Sequence, residues 1–412
     1  EDQGLATKIF EHDLSGALRD LTGVGSYPHV LLLLHWRGRV LGQLRLEVDN
    51  GTVPALSIWR AAHLKFGGAI TSCVAEDLVY GATLHSTGRR GNLSCSVVVC
   101  TRDRQEDLER CLAAVCPSAG PRDEVLVVDN APSDDRTELL SREFPVRYAL
   151  EPRQGLNWAR TRGAEEASGE IIVYIDDDAI PRNGWLKALL EPFSNPEVAA
   201  VTGLIMPAEL ENDAQEGFER YCGFARGFSR KEHTAETISP LAAANVGAGA
   251  CMAIRRRLVN DLGLFRTELD CGTATRSGGD TYAFYRLLSL GYRIVYNPDA
   301  VVWHRHRRTE AELRATLVGY SIGTFAFLLR ALLAHGEIGA LHIGFRWFVS
   351  HHLRQLYRGF RGKTGAQPVS LTLAEIGGIL SAPGAYIRSR REERRKTWIL
   401  PASDPGSRTV SL

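Results

Sequence analysis

Four short apolar runs, each followed by a helix-like stretch, constrain the fold of this chain more than any other feature. They are "SVVVCT" at 96–101, "EVLVVDN" at 124–130, "VRYAL" at 146–150 and "EIIVYIDDD" at 170–178. Strands that alternate with helices form a parallel sheet covered by helices on both faces. Ligands in such sheets bind beyond the carboxyl ends of the strands. We therefore predict an α/β fold with a mostly parallel, Rossmann-like sheet and a ligand site at these strand ends.

The segments between the runs have helical patterns. "RDRQEDLERCLAAV" follows the first run, and Asp103 and Glu106 within it have the spacing of a capping box. Asp135 and Glu138 repeat that spacing before the next helix, and "GLNWARTRGAEEA" at 155–167 predicts a third. These signals predict where each helix begins.

Residues outside this region have a different character. Two strand-like runs surround Arg37 and Gly38, a turn follows at 49–51, and a helical stretch runs from about Ala55 to Tyr80. The polar, glycine-bearing segment 85–94 predicts a linker. We predict three units: a small N-terminal α+β domain at 1–90, a catalytic domain at 95–307 and a helical C-terminal region at 308–412.

Composition limits the classes of partner. With 49 basic and 48 acidic side chains, the 412-residue chain has a formal charge of +1, so we expect no nucleic-acid partner. Its eight cysteines contain no CxxC pair, which favours free thiols in a reducing cytoplasm. The N-terminal residues lack the basic start and apolar stretch of a signal peptide. We expect a cytoplasmic protein, either free or at the inner face of the plasma membrane.

The C-terminal region allows two interpretations. The run at 317–333 is apolar except for Arg330, and 339–363 mixes aromatic residues with arginine and histidine. Residues 311–363 form either an amphipathic hairpin on a membrane surface or helices packed on the domain. The basic stretch "IRSRREERRKTW" predicts a solvated helix end with weak attraction to anionic lipid.

Three adjacent aspartates, in "YIDDDAIP" at 174–181, carry the strongest chemical signal. Carboxylate oxygens are the ligands of Mg²⁺ and Mn²⁺, which also bind substrate phosphates. The alternative is a loop whose aspartates cap the next helix, but this explains one aspartate and not three. His304 and His306 are spaced so that both point to one side of an extended chain, where one could complete a metal shell. Asp280, in "SGGDTYAFYRLL", is either a helix cap or a general base.

In order and spacing, these segments resemble the family 2 glycosyltransferases of the GT-A fold. The pieces are "SVVVCTRDR", "EVLVVDNAPSDD", "GLNWARTRGAEEASGEIIVYIDDDAIPRNGWL" and "GGDTYAFYRLLSLGYRIVYNPDAVVWH", and they cover about 95–307. The resemblance implies transfer of a hexose from a nucleoside-diphosphate sugar, with UDP the favoured nucleotide. It also implies a glycan or lipid-linked acceptor hydroxyl, inversion of the anomeric centre, and a divalent cofactor, Mn²⁺ or Mg²⁺.

The resemblance also implies roles for individual residues. Asp280 matches the catalytic base, while Asp176, Asp178 and His304 match metal ligands, His304 being chosen over His306. Two positions depart from the family pattern, since Arg102 replaces an aromatic residue and Gly279 replaces a frequent acid. The implied nucleotide-sugar contacts are Thr101, Arg102, Asp103, Asp129, Gly155, Arg160, Asp176 and Asp177, the last mainly as a support for its neighbours.

Simpler interpretations remain for several of these side chains. Asp103 fits a helix cap, Asp129 fits a turn, and either histidine fits a phosphate contact or the plain surface. Two other functions remain as well. A nucleotidyltransferase would need a glycine-rich loop after the first strand, where "CTRDRQED" has no glycine. A degenerate transferase could instead act as a scaffold through 311–363.

Overall fold

The computed structural model describes residues 6–80, 93–363 and 365–399. The predicted linker at 85–94 lies outside these residues, apart from Leu93 and Ser94.

The N-terminal unit is a three-stranded sheet and a long helix. Its elements are β1 (Thr7–Asp13), β2 (His29–Trp36), β3 (Arg39–Glu47) and α1 (Ala55–Tyr80). β2 pairs with β1 in parallel and with β3 antiparallel. Both faces of β2 are covered: Val30, Leu32 and Leu34 pack towards α1, while Leu31 and Leu33 pack on the main sheet. This explains why the "VLLLL" run within β2 is apolar at every position instead of alternating.

The main domain follows. Its strands are β4 (Cys95–Thr101), β5 (Glu124–Asn130), β6 (Arg147–Glu151), β7 (Ile171–Asp176), β8 (Ala179–Pro181), β9 (Val198–Pro207), β10 (Lys231–His233), β11 (Cys251–Arg255) and β12 (Arg293–His304). Its helices are α2 (Gln105–Val115), α3 (Arg136–Ser141), α4 (Leu156–Glu166), α5 (Trp185–Leu190), α6 (Asp213–Cys222), α7 (Arg256–Leu262) and α8 (Gly279–Ser289).

Within the described residues these strands form one nine-stranded sheet, in the order β10-β12-β9-β11-β7-β4-β5-β6, with β8 paired to β12. The four predicted strands, β4 to β7, are parallel neighbours, and β9 and β12 are also parallel. β11 runs antiparallel between β7 and β9. Apolar clusters cover both faces, with α2 and α5 on one and α4, α7 and α8 on the other. The predicted α/β class, with a small N-terminal α+β unit and a helical C-terminal region, is confirmed.

The C-terminal region consists of α9 (Glu310–His335), α10 (Gly339–Trp347), a π-helical turn (Phe348–Leu353), α11 (Arg354–Phe360) and α12 (Val369–Ile399). α9 packs against the main domain, and α12 packs along α9. Among the described residues, α9 alone has the length and composition to span a membrane, yet 56% of its apolar window is buried. The apolar run at 317–333 is therefore accounted for largely by packing inside the molecule.

Both predicted capping boxes are wrong. α2 begins at Gln105, with no side-chain cap, because Asp103 turns away and accepts hydrogen bonds from Ser133. Asp135 does stand at the start of α3, but its side chain makes no capping hydrogen bond.

Candidate active site

The predicted metal ligands converge at the carboxyl end of β7. One potential ligand atom from each of Asp176, Asp178 and His304 lies within 4.8 Å of the others. His304 Nε2 is 3.1 Å from Asp178 Oδ1 and 4.0 Å from Asp176 Oδ2. This proximity depends on β8 pairing with β12, which sets Ala179 opposite His304. The pairing folds residues 176–178, which we call the acidic turn, back onto β12.

A guanidinium that the sequence interpretation missed holds the acidic turn together. Arg104 Nη1 donates to Asp177 Oδ1 at 2.5 Å, and Nη2 donates to Asp178 Oδ2 at 2.8 Å. Thr101 Oγ1 donates to Asp177 Oδ2 at 2.7 Å. Protein groups thus occupy both oxygens of Asp177, which supports the turn.

The electrostatics differ along the triplet. Burial raises the pKa of Asp177 to about 7. Burial would also raise that of Asp178, but His304 and Arg104 hold its pKa well below the usual range. The same ion pair raises the pKa of His304, against the lowering effect of burial. Asp176 is the most open of the three, with its side chain 35% exposed, so it is the carboxylate best placed to meet a ligand.

These donors fit a divalent cation. Two carboxylates and one imidazole, whose ligand atoms lie within 4.8 Å of one another, form an oxygen-rich set that suits Mn²⁺ or Mg²⁺. The Nδ1 atom of His304 is buried without a hydrogen-bond partner, and the ring packs edge-to-face on Phe224 with 5.3 Å between the ring centroids. His306 is different, because its Nε2 pairs with Glu219 Oε1 at 2.6 Å and its ring packs on Phe218. The choice of His304 over His306 agrees with this geometry.

A second polar network lies beneath the triplet. Arg160, 4% exposed, donates to Asp270 Oδ2 at 2.6 Å and lies 4.0 Å from Asp176. Burial raises the pKa of Asp270 to about 6. Asp280 Oδ2 accepts from the Gly249 amide at 2.7 Å, and its Oδ1 accepts from the Thr281 amide, also at 2.7 Å. Asp280 is therefore fixed by backbone groups in the first turn of α8, but it does not line the cavity described below.

Two predicted nucleotide contacts occupy the ends of β4 and β5. Asp129 is fully buried, accepts from the Tyr148 hydroxyl at 3.0 Å, and has its Oδ1 atom unpartnered. Burial raises its pKa to about 6. Asp103, with φ +54°, accepts from both the amide and the hydroxyl of Ser133 at 2.8 Å. Neither aspartate lines the cavity, so Asp103 here links two loops and Asp129 lies under the surface.

Gly155 has a conformational reason to be glycine. Its φ is +143°, and a Cβ there would come within 3.2 Å of Trp158. Its amide donates to Asn130 Oδ1 at 2.8 Å. Gly155 and Arg160 lie behind the cavity, whereas Asn130, which the sequence interpretation missed, forms part of its wall.

A cavity of about 570 Å³ opens over the acidic turn. Thr101, the three aspartates of the turn and His304 line it, and α9 contributes Thr316, Gly319 and Tyr320. Five arginines also line it: Arg102, Arg104, Arg276, Arg305 and Arg307. A cavity lined by both carboxylates and guanidinium groups suits a metal-bound, multiply charged anion such as a diphosphate.

Residues 96–263 match the sequence profile described as glycosyl transferase family 2. This part of the chain belongs to that family. The chain is therefore a glycosyltransferase, of a class that transfers sugars from nucleotide sugars. The matched residues include β4 to β7, and with them the acidic turn, but end before Asp280 and His304.

Two curated relatives come from the archaeon Haloferax volcanii. Glycosyltransferase AglE is 29% identical over 220 residues, covering 52% of this chain and 67% of the relative. Glucosyl-dolichyl phosphate glucuronosyltransferase is 25% identical over 253 residues, covering 56% and 76%. A solved mannosyltransferase from Pyrobaculum calidifontis, in complex with GDP-Man and Mn²⁺, is 19% identical over 70% of this glycosyltransferase and 86% of that chain, with a TM-score of 0.46.

Proposed function

We propose that this chain is a metal-dependent, inverting glycosyltransferase that moves a hexose from a nucleoside-diphosphate sugar, UDP-linked by preference, to a hydroxyl of a glycan or lipid-linked acceptor. The proposal is supported by the convergence of Asp176, Asp178 and His304 in a cavity that five arginines also line. A divalent ion bound there would neutralise the charge that develops on the departing diphosphate.

The protein's own groups have separate tasks in this reaction. Asp176, Asp178 and His304 would hold the ion, and Arg104 keeps the acidic turn in the required shape. Arg307, 47% exposed and 3.8 Å from Asp178, is free enough to contact the diphosphate. Guanidinium groups contact phosphate oxygens through two parallel hydrogen bonds, which would orient the leaving group.

Asp280 is the proposed base. Two backbone amides fix its carboxylate, so its position does not depend on a mobile side-chain partner. It would take the proton from the acceptor hydroxyl as that oxygen attacks the anomeric carbon and the bond to the diphosphate breaks. Inversion would require the acceptor oxygen to attack the face of the sugar opposite the diphosphate.

A panel of UDP-, GDP- and dTDP-sugars tests the donor assignment. Each donor is incubated with the purified chain in Mn²⁺ or in chelator, and released nucleoside diphosphate is measured. We expect release from one class of donor, UDP-sugars first, that requires metal. Release of pyrophosphate from a nucleoside triphosphate instead would favour a nucleotidyltransferase and contradict the proposal.

A lipid-linked acceptor would place the enzyme at a membrane, and we propose that the C-terminal region docks there. Exposed apolar side chains recur along one side of α10, the π-helical turn and α11: Leu341, Phe345, Val349, Leu353, Tyr357 and Phe360. We call this set the apolar stripe. The same segment, 339–363, contains Arg346, Arg354, Arg358, Arg361 and Lys363, and no acidic residue. Apolar side chains flanked by cations suit the surface of an anionic bilayer.

Vesicle flotation tests the docking proposal. We expect the intact chain to float with vesicles containing phosphatidylglycerol, and Phe345→Ser with Phe360→Ser to remain at the bottom of the gradient. Leu64→Ser is the matched control, because Leu64 is 87% exposed but lies on α1, away from the stripe. Equal flotation of the stripe variant and the control would contradict the proposal without affecting the donor assignment.

A further inference from the structure

A second cluster of metal-binding side chains lies outside the active site, in the C-terminal helices. His351 and His352 lie in the π-helical turn, and Glu375 lies on α12. One potential ligand atom from each lies within 4.8 Å of the others. We propose that these three residues bind a transition-metal ion of the Zn²⁺ type.

The burial of His352 is the second observation that points to a ligand. Its side chain is fully buried, and neither ring nitrogen has a hydrogen-bond partner. Buried polar atoms are nearly always paired, so two unpaired nitrogens on one ring are unusual. A metal ion bound to one of these nitrogens would give that nitrogen a partner.

The geometry of the turn also favours a shared ligand. Consecutive side chains of a regular α-helix point in different directions and do not converge. π-helical turns are rare and occur often at functional sites. Here the two imidazole centroids are 4.9 Å apart and Trp347 packs against both rings, which fixes their orientation.

The remaining ligands are also in place. Glu375 is buried, and Gln367 donates to its Oε2 at 2.6 Å, an arrangement that leaves the other oxygen for the ion and orients the carboxylate. Gln355, one turn after His351, has a buried amide oxygen without a partner. Two imidazoles and one carboxylate are a typical set for zinc, whereas the oxygen-rich set at the active site suits Mn²⁺ or Mg²⁺.

The ion would join two elements that are separated in sequence. It would fasten the π-helical turn, which carries Val349 and Leu353 of the apolar stripe, to α12, which packs along α9. The predicted role is structural: the metal would hold the stripe at a fixed angle to the wall of the active-site cavity.

Zinc content tests the proposal. The full chain is prepared with Asp178→Asn and His304→Gln, so that the active site does not retain zinc, then dialysed against Zn²⁺ and analysed by atomic emission. We expect about one zinc per chain in this parent. We expect almost none when Glu375→Gln or His352→Gln is added. Added His342→Gln is the matched control, because His342 is an exposed histidine on α10, and it should leave the zinc content unchanged.

Thermal unfolding separates a lost ligand from a damaged fold. Zn²⁺ should raise the unfolding midpoint of the parent by about 3 °C or more relative to EDTA, and should leave that of the Glu375→Gln variant unchanged. In EDTA the two proteins should unfold within about 1 °C of each other. Equal zinc content in parent and variants, or an equal rise in midpoint, would overturn the proposal. So would a parent that binds no zinc.

Discussion

Among single residues, the three aspartates of the turn are chemically distinct although they are adjacent. Asp177 is held by Thr101 and Arg104, and both oxygens of Asp178 face cations. Asp176 is the most exposed and has one oxygen towards His304 and the other towards Arg160. The repulsion expected of adjacent carboxylates is therefore reduced by Arg104 and His304 before any metal binds.

The proposed base gives a direct test at this scale. Asp280→Asn should lower kcat by about 10²- to 10⁴-fold with little change in the KM of the donor, because a general base acts on the acceptor proton. Steady-state release of nucleoside diphosphate with a working acceptor measures this. Asp261→Asn, at an exposed site, is the control and should behave like the unmodified chain. Full activity of the Asp280 variant would contradict the assignment.

Asp129 gives a prediction about pH. Burial raises its pKa to about 6 from 3.8, so the folded state holds the proton more tightly than the unfolded state does. The carboxylate therefore reduces stability as the pH rises from 3.8 to about 6, by about 3 kcal/mol in total. Asp129→Asn should raise the free energy of unfolding by about that amount near pH 7.5 and by much less near pH 4.5.

Chemical denaturation at the two pH values measures the effect of Asp129→Asn. The exposed Asp135→Asn variant is the control, and should change stability little at either pH. A pH-independent difference would show that the buried charge of Asp129 is not the cause. If Asp129 also contacts the base of the donor, the stabilised variant should bind nucleotide more weakly.

Among elements, α9 has two roles, since it packs in the interior and also forms a wall of the cavity. The loop at 270–278 contacts it closely: Ser277 Oγ donates to the carbonyl of Gly319 at 3.0 Å. A Cβ at Gly323 would lie 1.9 Å from Ser277 Oγ, so only glycine lets the helix come this near. Gly323 therefore lets α9 pack closely against the loop, one turn from Gly319, which lines the cavity.

A pair of glycine substitutions tests this contact. Gly323→Ala should destabilise the protein by about 1 to 3 kcal/mol, because the added methyl group forces α9 away from Ser277. The displaced helix should also change kcat, because α9 lines the cavity. Gly377→Ala is the matched control, because that helical glycine on α12 has nothing within 4 Å of its Cβ, and should stabilise by about 0.5 to 1 kcal/mol. Equal changes in unfolding free energy would contradict the proposed requirement for glycine where α9 meets Ser277.

The comparison with the sequence is also most informative at this scale. The bounds of α1 and the four parallel strands were predicted to within a residue or two, because their apolar patterns are local. β9 and β11 were not predicted, because their places in the sheet, with β11 antiparallel between β7 and β9 and β9 parallel to β12, depend on contacts between distant segments. The capping box predicted at Asp103 is absent because that side chain accepts hydrogen bonds from Ser133, 30 residues away. The contacts of Arg104 with the aspartates, and of Glu375 with His352, likewise join residues far apart in sequence, so only the tertiary structure shows them.

At the scale of the whole molecule, the N-terminal sheet is built onto the main domain. Leu31 and Leu33 of β2 pack with Leu204 and Met206 of β9 and with Val301 of β12. The Val40 amide also donates to Asp299 at 2.7 Å, and Arg45 pairs with Glu216 at 2.7 Å. The division at residue 90 remains a prediction, but the surface between the two units is largely apolar, so we expect them to unfold together.

A substitution in this surface tests the coupling. Leu33→Ala should lower the unfolding free energy by about 2 to 5 kcal/mol and leave a single transition, because a cavity forms between the two sheets. Leu18→Ala, 51% exposed, is the control and should stay within about 0.5 kcal/mol of the unmodified chain. Two separate calorimetric transitions would show that the N-terminal unit is independent.

The most direct test of the proposed function is metal-dependent release of nucleoside diphosphate from the best donor of the panel. The chain is stripped with EDTA, returned to metal-free buffer, and titrated with Mn²⁺ or Mg²⁺ but no Zn²⁺. We expect no release without metal, saturable recovery in the unmodified chain, and no recovery in Asp178→Asn. Turnover that persists in chelator, or full recovery in the Asp178 variant, would contradict a metal site at Asp176, Asp178 and His304.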